Sequence, residues 1–118
     1  MHTSASITYK LIIDPNITPY AVYFTVSSDP ESGKINGLFV NSKEMTSFQW
    51  VTALMTSYVR QLNAGIELQA VIQDMKETFA PGGSYIIPST GGIRATSIVH
   101  HLGLVLERYS ETVCKSKI

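Results

Sequence analysis

Residues 20–41, YAVYFTVSSDPESGKINGLFVN, decide the fold class, because side chains alternate in two short runs on either side of a turn. Tyr20, Val22, Phe24 and Val26 share one side of the first run. In the second, Leu38 and Val40 point one way and Phe39 the other. A period of two is the mark of a strand with one covered face. Between the runs, Ser28-Asp29-Pro30-Glu31-Ser32-Gly33 has the composition of a turn.

Working outward, Ile7, Tyr9, Leu11 and Ile13 repeat the alternation upstream, and Asp14-Pro15-Asn16 separates that run from the next. A three-stranded antiparallel meander is expected. Downstream the period changes to that of a helix near residue 46. Thr46 and Gln49 have capping-box spacing, and Met45 with Trp50 suits a hydrophobic staple that would bury the indole. Phe48, Val51, Met55, Tyr58 and Leu62 then recur three and four apart until Asn63-Ala64-Gly65 stops the helix. A second stripe, Leu68, Val71, Ile72, Met75 and Phe79, runs to Ala80-Pro81-Gly82-Gly83.

Ser84 to Pro88 reads as an edge strand or an extended lid, since proline bars a central strand position. A third helix is expected from about Ala95 to Ser110, with Ile98, Leu102, Val105, Leu106 and Tyr109 inward and Ser97, His101, Leu104 and Arg108 on another side. The order is βββααβα, an α+β chain with an antiparallel three- to four-stranded sheet and three helices packed on one face. One domain over residues 1–118 is expected, with 1–5 and 112–118 flexible.

Nine Lys plus Arg balance nine Asp plus Glu, so the net charge is zero. That excludes a general polyanion binder, and no nucleic-acid partner is expected. Charged residues are 15% of the chain, against roughly a quarter in an ordinary domain, while 44% are hydrophobic. Homo-oligomerisation is the expected use of the apolar excess. The single cysteine, Cys114, forms neither an internal disulfide nor a cysteine zinc site. Neither a membrane-spanning run nor a signal-peptide core is evident, so cytoplasmic localisation is expected.

Candidate chemistry is sparse. His100 and His101 are adjacent, which on a helix sets them about 100° apart and prevents joint ligation of one ion. One is expected at the core edge and one in solvent; no metal or cofactor is expected. The carboxylates Glu67, Asp74, Glu77, Glu107 and Glu111 fall on helix faces suited to solvent. Two glycine pairs, Gly82-Gly83 and Gly91-Gly92, bracket residues 84–88, and Arg94 falls directly before the expected third helix. Helix N-terminal N–H groups, an arginine and glycine turns suit a compact anion, although glycines also serve simply to turn the chain. Neither a P-loop nor a dinucleotide fingerprint is present. A further candidate is Asn41-Ser42-Lys43, where lysine offers a point charge and Trp50 a stacking platform.

Phe39-Val40-Asn41-Ser42-Lys43, then Met45, Phe48-Gln49-Trp50 and Ala53-Leu54, resembles a motif of the TSCPD-like C-terminal accessory domain of some adenosylcobalamin-dependent ribonucleotide reductases. Phe79-Ala80-Pro81-Gly82-Gly83 is similar to that family's F-D-P-x-G-G, with Ala80 in place of the usual aspartate, and the likeness extends from about Thr8 to Tyr109. With Cys114 alone, the chain lacks the cysteines of ribonucleotide reduction and the family's cysteine-rich zinc tail. The resemblance, the glycine pairs before Arg94 and the low charge fraction together point to a non-catalytic binding or regulatory module for a nucleotide-like anionic small molecule, one use of which is sequestering a nucleotide signal. An accessory subunit docking onto a reductase catalytic chain is the alternative. The enzymatic alternative is a hydrolase using His100 or His101.

Overall fold

The computed structural model of the chain describes residues 5–13, 20–43, 49–79, 84–88 and 90–116. The alternating runs form β1 (Ala5–Leu11), β2 (Val22–Ser28) and β3 (Ile35–Asn41), an antiparallel sheet of order β1-β2-β3. Its register sets Tyr9 beside Phe24 and Phe24 beside Val40, and sets Ile7 beside Val26 and Val26 beside Leu38. Apolar residues of all three strands therefore share one face. Val22, Phe24, Val26, Leu38 and Val40 are buried there, whereas Phe39 points away and is 60% exposed, as period two requires. Two expectations fail at the margins of that face. Ile7 on the edge strand is 44% exposed, and Tyr20 precedes β2 and is exposed as well. Near the start of β3, Ser27 pairs with Gly37 and Ser28 with Ile35, so Asn36 bulges out of the ladder.

Helix α1 (Gln49–Asn63) packs against β3. Val51, Met55 and Tyr58, at the expected helical spacing, are its buried residues, and Leu62 is half-buried. Phe48, the Thr46 cap and Met45 lie outside the described residues. The helix closes in a Schellman motif: the N–H of Gly65 donates to the carbonyl of Leu62 at 3.1 Å, and that of Ile66 to Gln61 at 3.0 Å.

The chain divides between Ile66 and Glu67 into two compact units. In the second, α2 (Leu68–Lys76) packs against α3 (Ile98–Ser116), and β4 (Tyr85–Ile86) pairs antiparallel with β5 (Arg94–Ala95) as a separate two-stranded sheet. Val71, Ile72 and Met75 of α2 and Ile98, Val99, Leu102, Leu106 and Tyr109 of α3 are buried. Gly103 lets these helices meet closely. A Cβ built on it would stand 2.8 Å from the Cβ of Met75. Further along the same pair of helices, Gln69 donates to Ser110 at 3.2 Å and Lys76 pairs with Glu107 at 2.9 Å.

The boundaries differ from expectation for local reasons. Helix α2 ends at Lys76, so Phe79 lies past it and is 66% exposed instead of closing the apolar stripe. The Thr78 carbonyl accepts from the hydroxyls of Thr96 at 2.9 Å and Ser97 at 2.8 Å. Ser97 also caps α3, its oxygen accepting the His100 N–H at 3.0 Å. Helix α3 consequently begins at Ile98, not Ala95, and it continues to Ser116 rather than ending at Ser110.

Candidate functional site

The segment expected as an edge strand or lid is half of a hairpin. Tyr85 pairs with Ala95 and Ile86 with Arg94, and the Ile87 N–H donates to the Ile93 carbonyl at 2.8 Å. Within the loop, the Thr90 hydroxyl donates to Ile87 O at 2.6 Å and accepts the Ile93 N–H at 3.2 Å. Gly91 and Gly92 follow with φ of 76° and 108°, a conformation that favours glycine. No atom lies within 4 Å of a Cβ built on either, so these glycines answer the turn rather than crowding, and their exposed backbone is open to a ligand. Gly82 and Gly83, the other pair, lie outside the described residues.

Arg94 is a correction. It sits in β5, with Ala95, Thr96 and Ser97 between it and α3, instead of directly before the helix. Its exposed guanidinium donates to the Ser84 hydroxyl at 3.3 Å. Among the described residues, no carboxylate oxygen approaches it within ion-pair distance. The first turn of α3 is meanwhile occupied from within, because Ser97 takes the His100 N–H and the Nδ1 of His100 takes the Thr96 N–H at 3.0 Å. The exposed cation is therefore on the hairpin and not at the helix end.

Neither His100 nor His101 is in open solvent. His101, expected on the other side of the helix from the apolar stripe, is buried, and its Nδ1 shares a hydrogen bond with the hydroxyl of buried Tyr85 at 2.8 Å. The two rings stand 5.8 Å apart and tilted. Burial, reinforced by the neighbouring His100, pushes the His101 pKa down to about 4. His100 is half-buried, and its pKa is lowered by burial and then by the Lys76 ammonium. Because its Nδ1 accepts the Thr96 N–H, the neutral ring carries its proton on Nε2. Both rings are thus engaged in holding the hairpin and the start of α3.

In the first unit, Asn41 and Lys43 are exposed and Ser42 is buried. The Lys43 ammonium lies 5.8 Å from the centre of the Tyr20 ring, a cation–π contact that partly occupies the charge. Trp50 departs from the staple reading: it is 43% exposed, because the buried face of α1 starts one residue later, at Val51. An indole left in solvent can stack on a ligand. Its replacement by alanine is accordingly expected to cost less than about 1 kcal/mol, which urea denaturation would check; a loss of 3 kcal/mol or more would return the ring to the core.

A groove of about 240 Å³ also opens between β3 and α1, lined by Leu38, Phe39, Val40, Thr52, Thr56 and Val59 among others. None of its lining side chains is charged, so it offers no counter-ion to a phosphate. Among the described residues, no group of three or more His, Cys, Asp or Glu could hold a metal ion, and no helix is long and apolar enough to cross a membrane. The molecule is a small α+β protein with a cation displayed on a glycine hairpin and with His100 and His101 bonded internally. Comparison of the chain with protein-family models, curated proteins and solved structures finds no match. Sequence reasoning passed over Tyr85 as a partner of His101 and Gly103 as a helix contact. A glycine between Leu102 and Leu104 in mid-helix was the available signal for the second.

Proposed function

We propose that the protein is a non-catalytic binding module for a compact, nucleotide-like anion, contacted by Arg94 and the Gly91–Gly92 turn. The observation that carries this reading is an exposed guanidinium that has, among the described residues, one neutral hydrogen bond and no carboxylate partner, held on a hairpin with open backbone. Arginine is suited to phosphate because its planar fork donates two parallel hydrogen bonds. The engagement of the Nδ1 atoms of His100 and His101 supports binding without turnover. So does the resemblance of the Phe39 to Trp50 string to a reductase-associated domain. A module of this kind acts by holding its ligand and lowering the free concentration.

Isothermal titration with nucleoside di- and triphosphates, nucleotide sugars and cyclic nucleotides tests the reading. Binding of at least one is expected, and Arg94→Ala should weaken it tenfold or more, since a hydrogen bond to a charged group contributes about 1.5–3 kcal/mol. Stability of that variant should stay within about 0.5 kcal/mol of the parent, as is usual for surface substitutions. Absence of heat with every ligand, or unchanged affinity in Arg94→Ala, would overturn the assignment.

A further inference from the structure

The two edges of the meander are treated differently. Against β3 packs α1, and Asn36 interrupts its ladder with a bulge. At the other edge, β1 pairs among the described residues with β2 alone, over seven residues and without a register shift. It contains no proline, and Lys10 is its only charged residue. Proteins that stay monomeric protect such edges with proline, several charges, a bulge or a covering element. Among the described residues, none of these shields the middle of β1.

The apolar face is less covered along the same edge. Val26 and Phe24 are buried, yet their β1 neighbours Ile7 and Tyr9 are exposed and half-buried respectively. A neighbour beyond β1 would complete the layer. Thr8 lies at the centre of the strand, and an antiparallel partner related by a two-fold axis at Thr8 would set Ile7 beside the second copy's Tyr9, and Tyr9 beside its Ile7. On the opposite face, Lys10 would meet the second copy's Ser6, so no like charges oppose each other. The strand is self-complementary in this register, whereas an unrelated peptide would need to supply a matching pattern.

We propose that β1 is a dimerisation edge, pairing antiparallel with β1 of a second copy about Thr8 and joining two three-stranded sheets into one. This inference is independent of the anion reading, since neither Arg94 nor the glycine hairpin contributes to it. Sedimentation velocity of the full chain over a range of concentrations should show a dimer. Thr8→Lys would place two ammonium groups directly across the axis, where facing side chains have Cβ atoms about 4.5–5.5 Å apart, and should weaken the dimer at least tenfold. Thr8 is exposed, so the circular dichroism of the variant should match the parent. Independently of how that variant folds, Thr8→Cys in a Cys114→Ser background should form a disulfide-linked dimer with oxidised glutathione. Ser6→Cys should not, because position 6 faces position 10 of the other copy. A monomer at all concentrations, a dimer indifferent to Thr8→Lys, or equal cross-linking through positions 6 and 8 would overturn the proposal.

Discussion

Replacing Gly103 by alanine is expected to destabilise the protein by about 1–3 kcal/mol, the usual cost of forcing extra volume into a packed contact. Helix propensity alone argues the reverse, because alanine is favoured over glycine in mid-helix by about 1 kcal/mol. The new Cβ would stand 2.8 Å from the Cβ of Met75 and 3.3 Å from the backbone nitrogen of Lys76. Neither atom is the loose end of a side chain, so α2 and α3 would have to separate. Separation would also stretch the Gln69–Ser110 and Lys76–Glu107 links between the same helices. Gly103→Val should cost more than Gly103→Ala, because the larger side chain must enter the same gap. Urea denaturation of both variants checks the ordering, and a stabilised Gly103→Ala would show that helix propensity outweighs the contact.

Acidification should produce the second large effect. The His101 pKa of about 4 in the fold lies below the ordinary histidine value of 6.5, so an unfolded chain takes up the proton first as the pH falls. Stability is therefore full above about pH 6.5 and declines as the pH drops toward 4. A folded-state value of about 4 against the ordinary 6.5 corresponds to roughly 3 kcal/mol over that window, at about 1.36 kcal/mol per pH unit. His100 adds a change of the same sign, since its pKa is also lowered. His101→Asn, which leaves a neutral hydrogen-bonding group facing Tyr85, should flatten the decline while lowering stability at neutral pH. Equal slopes for parent and variant between pH 6.5 and 4 would remove His101 as the source.

Much of the first unit was legible because its signals are short-range. The Val22, Phe24 and Val26 alternation, the Leu38 and Val40 pair against Phe39, and the Val51, Met55 and Tyr58 stripe each follow from one local period. Periodicity says which residues share a side but not how far that side is covered. Ile7, Tyr20 and Trp50 were therefore placed inside, yet they fall at an edge strand, before a strand and one residue off a helix face. In the second unit the misread features depend on contacts between segments. The pairing of Arg94 with Ile86 shortens the third helix at its start, and the Thr96 and Ser97 hydroxyls reach the Thr78 carbonyl.

The candidate site was legible in its residue types and less so in its arrangement. A glycine pair and an arginine do share a hairpin, but Arg94 is a strand residue rather than a helix-end one. His101 looked like a surface group because its own helix stripe does not include it. Its burial depends on Tyr85, a partner on a strand that local pattern could not place.

The Schellman end of α1 and the meander before it bear on how the chain is made. Each strand of the main sheet pairs only with strands adjacent in sequence, and α1 packs on the strand that it follows. Such short loops keep the entropy of closure low and favour rapid folding. The first 66 residues contain all of these partners. As the chain leaves the ribosome, this half can complete its sheet and helix before the residues of α3 have been synthesised, and synthesis is slow enough for N-terminal parts to fold first.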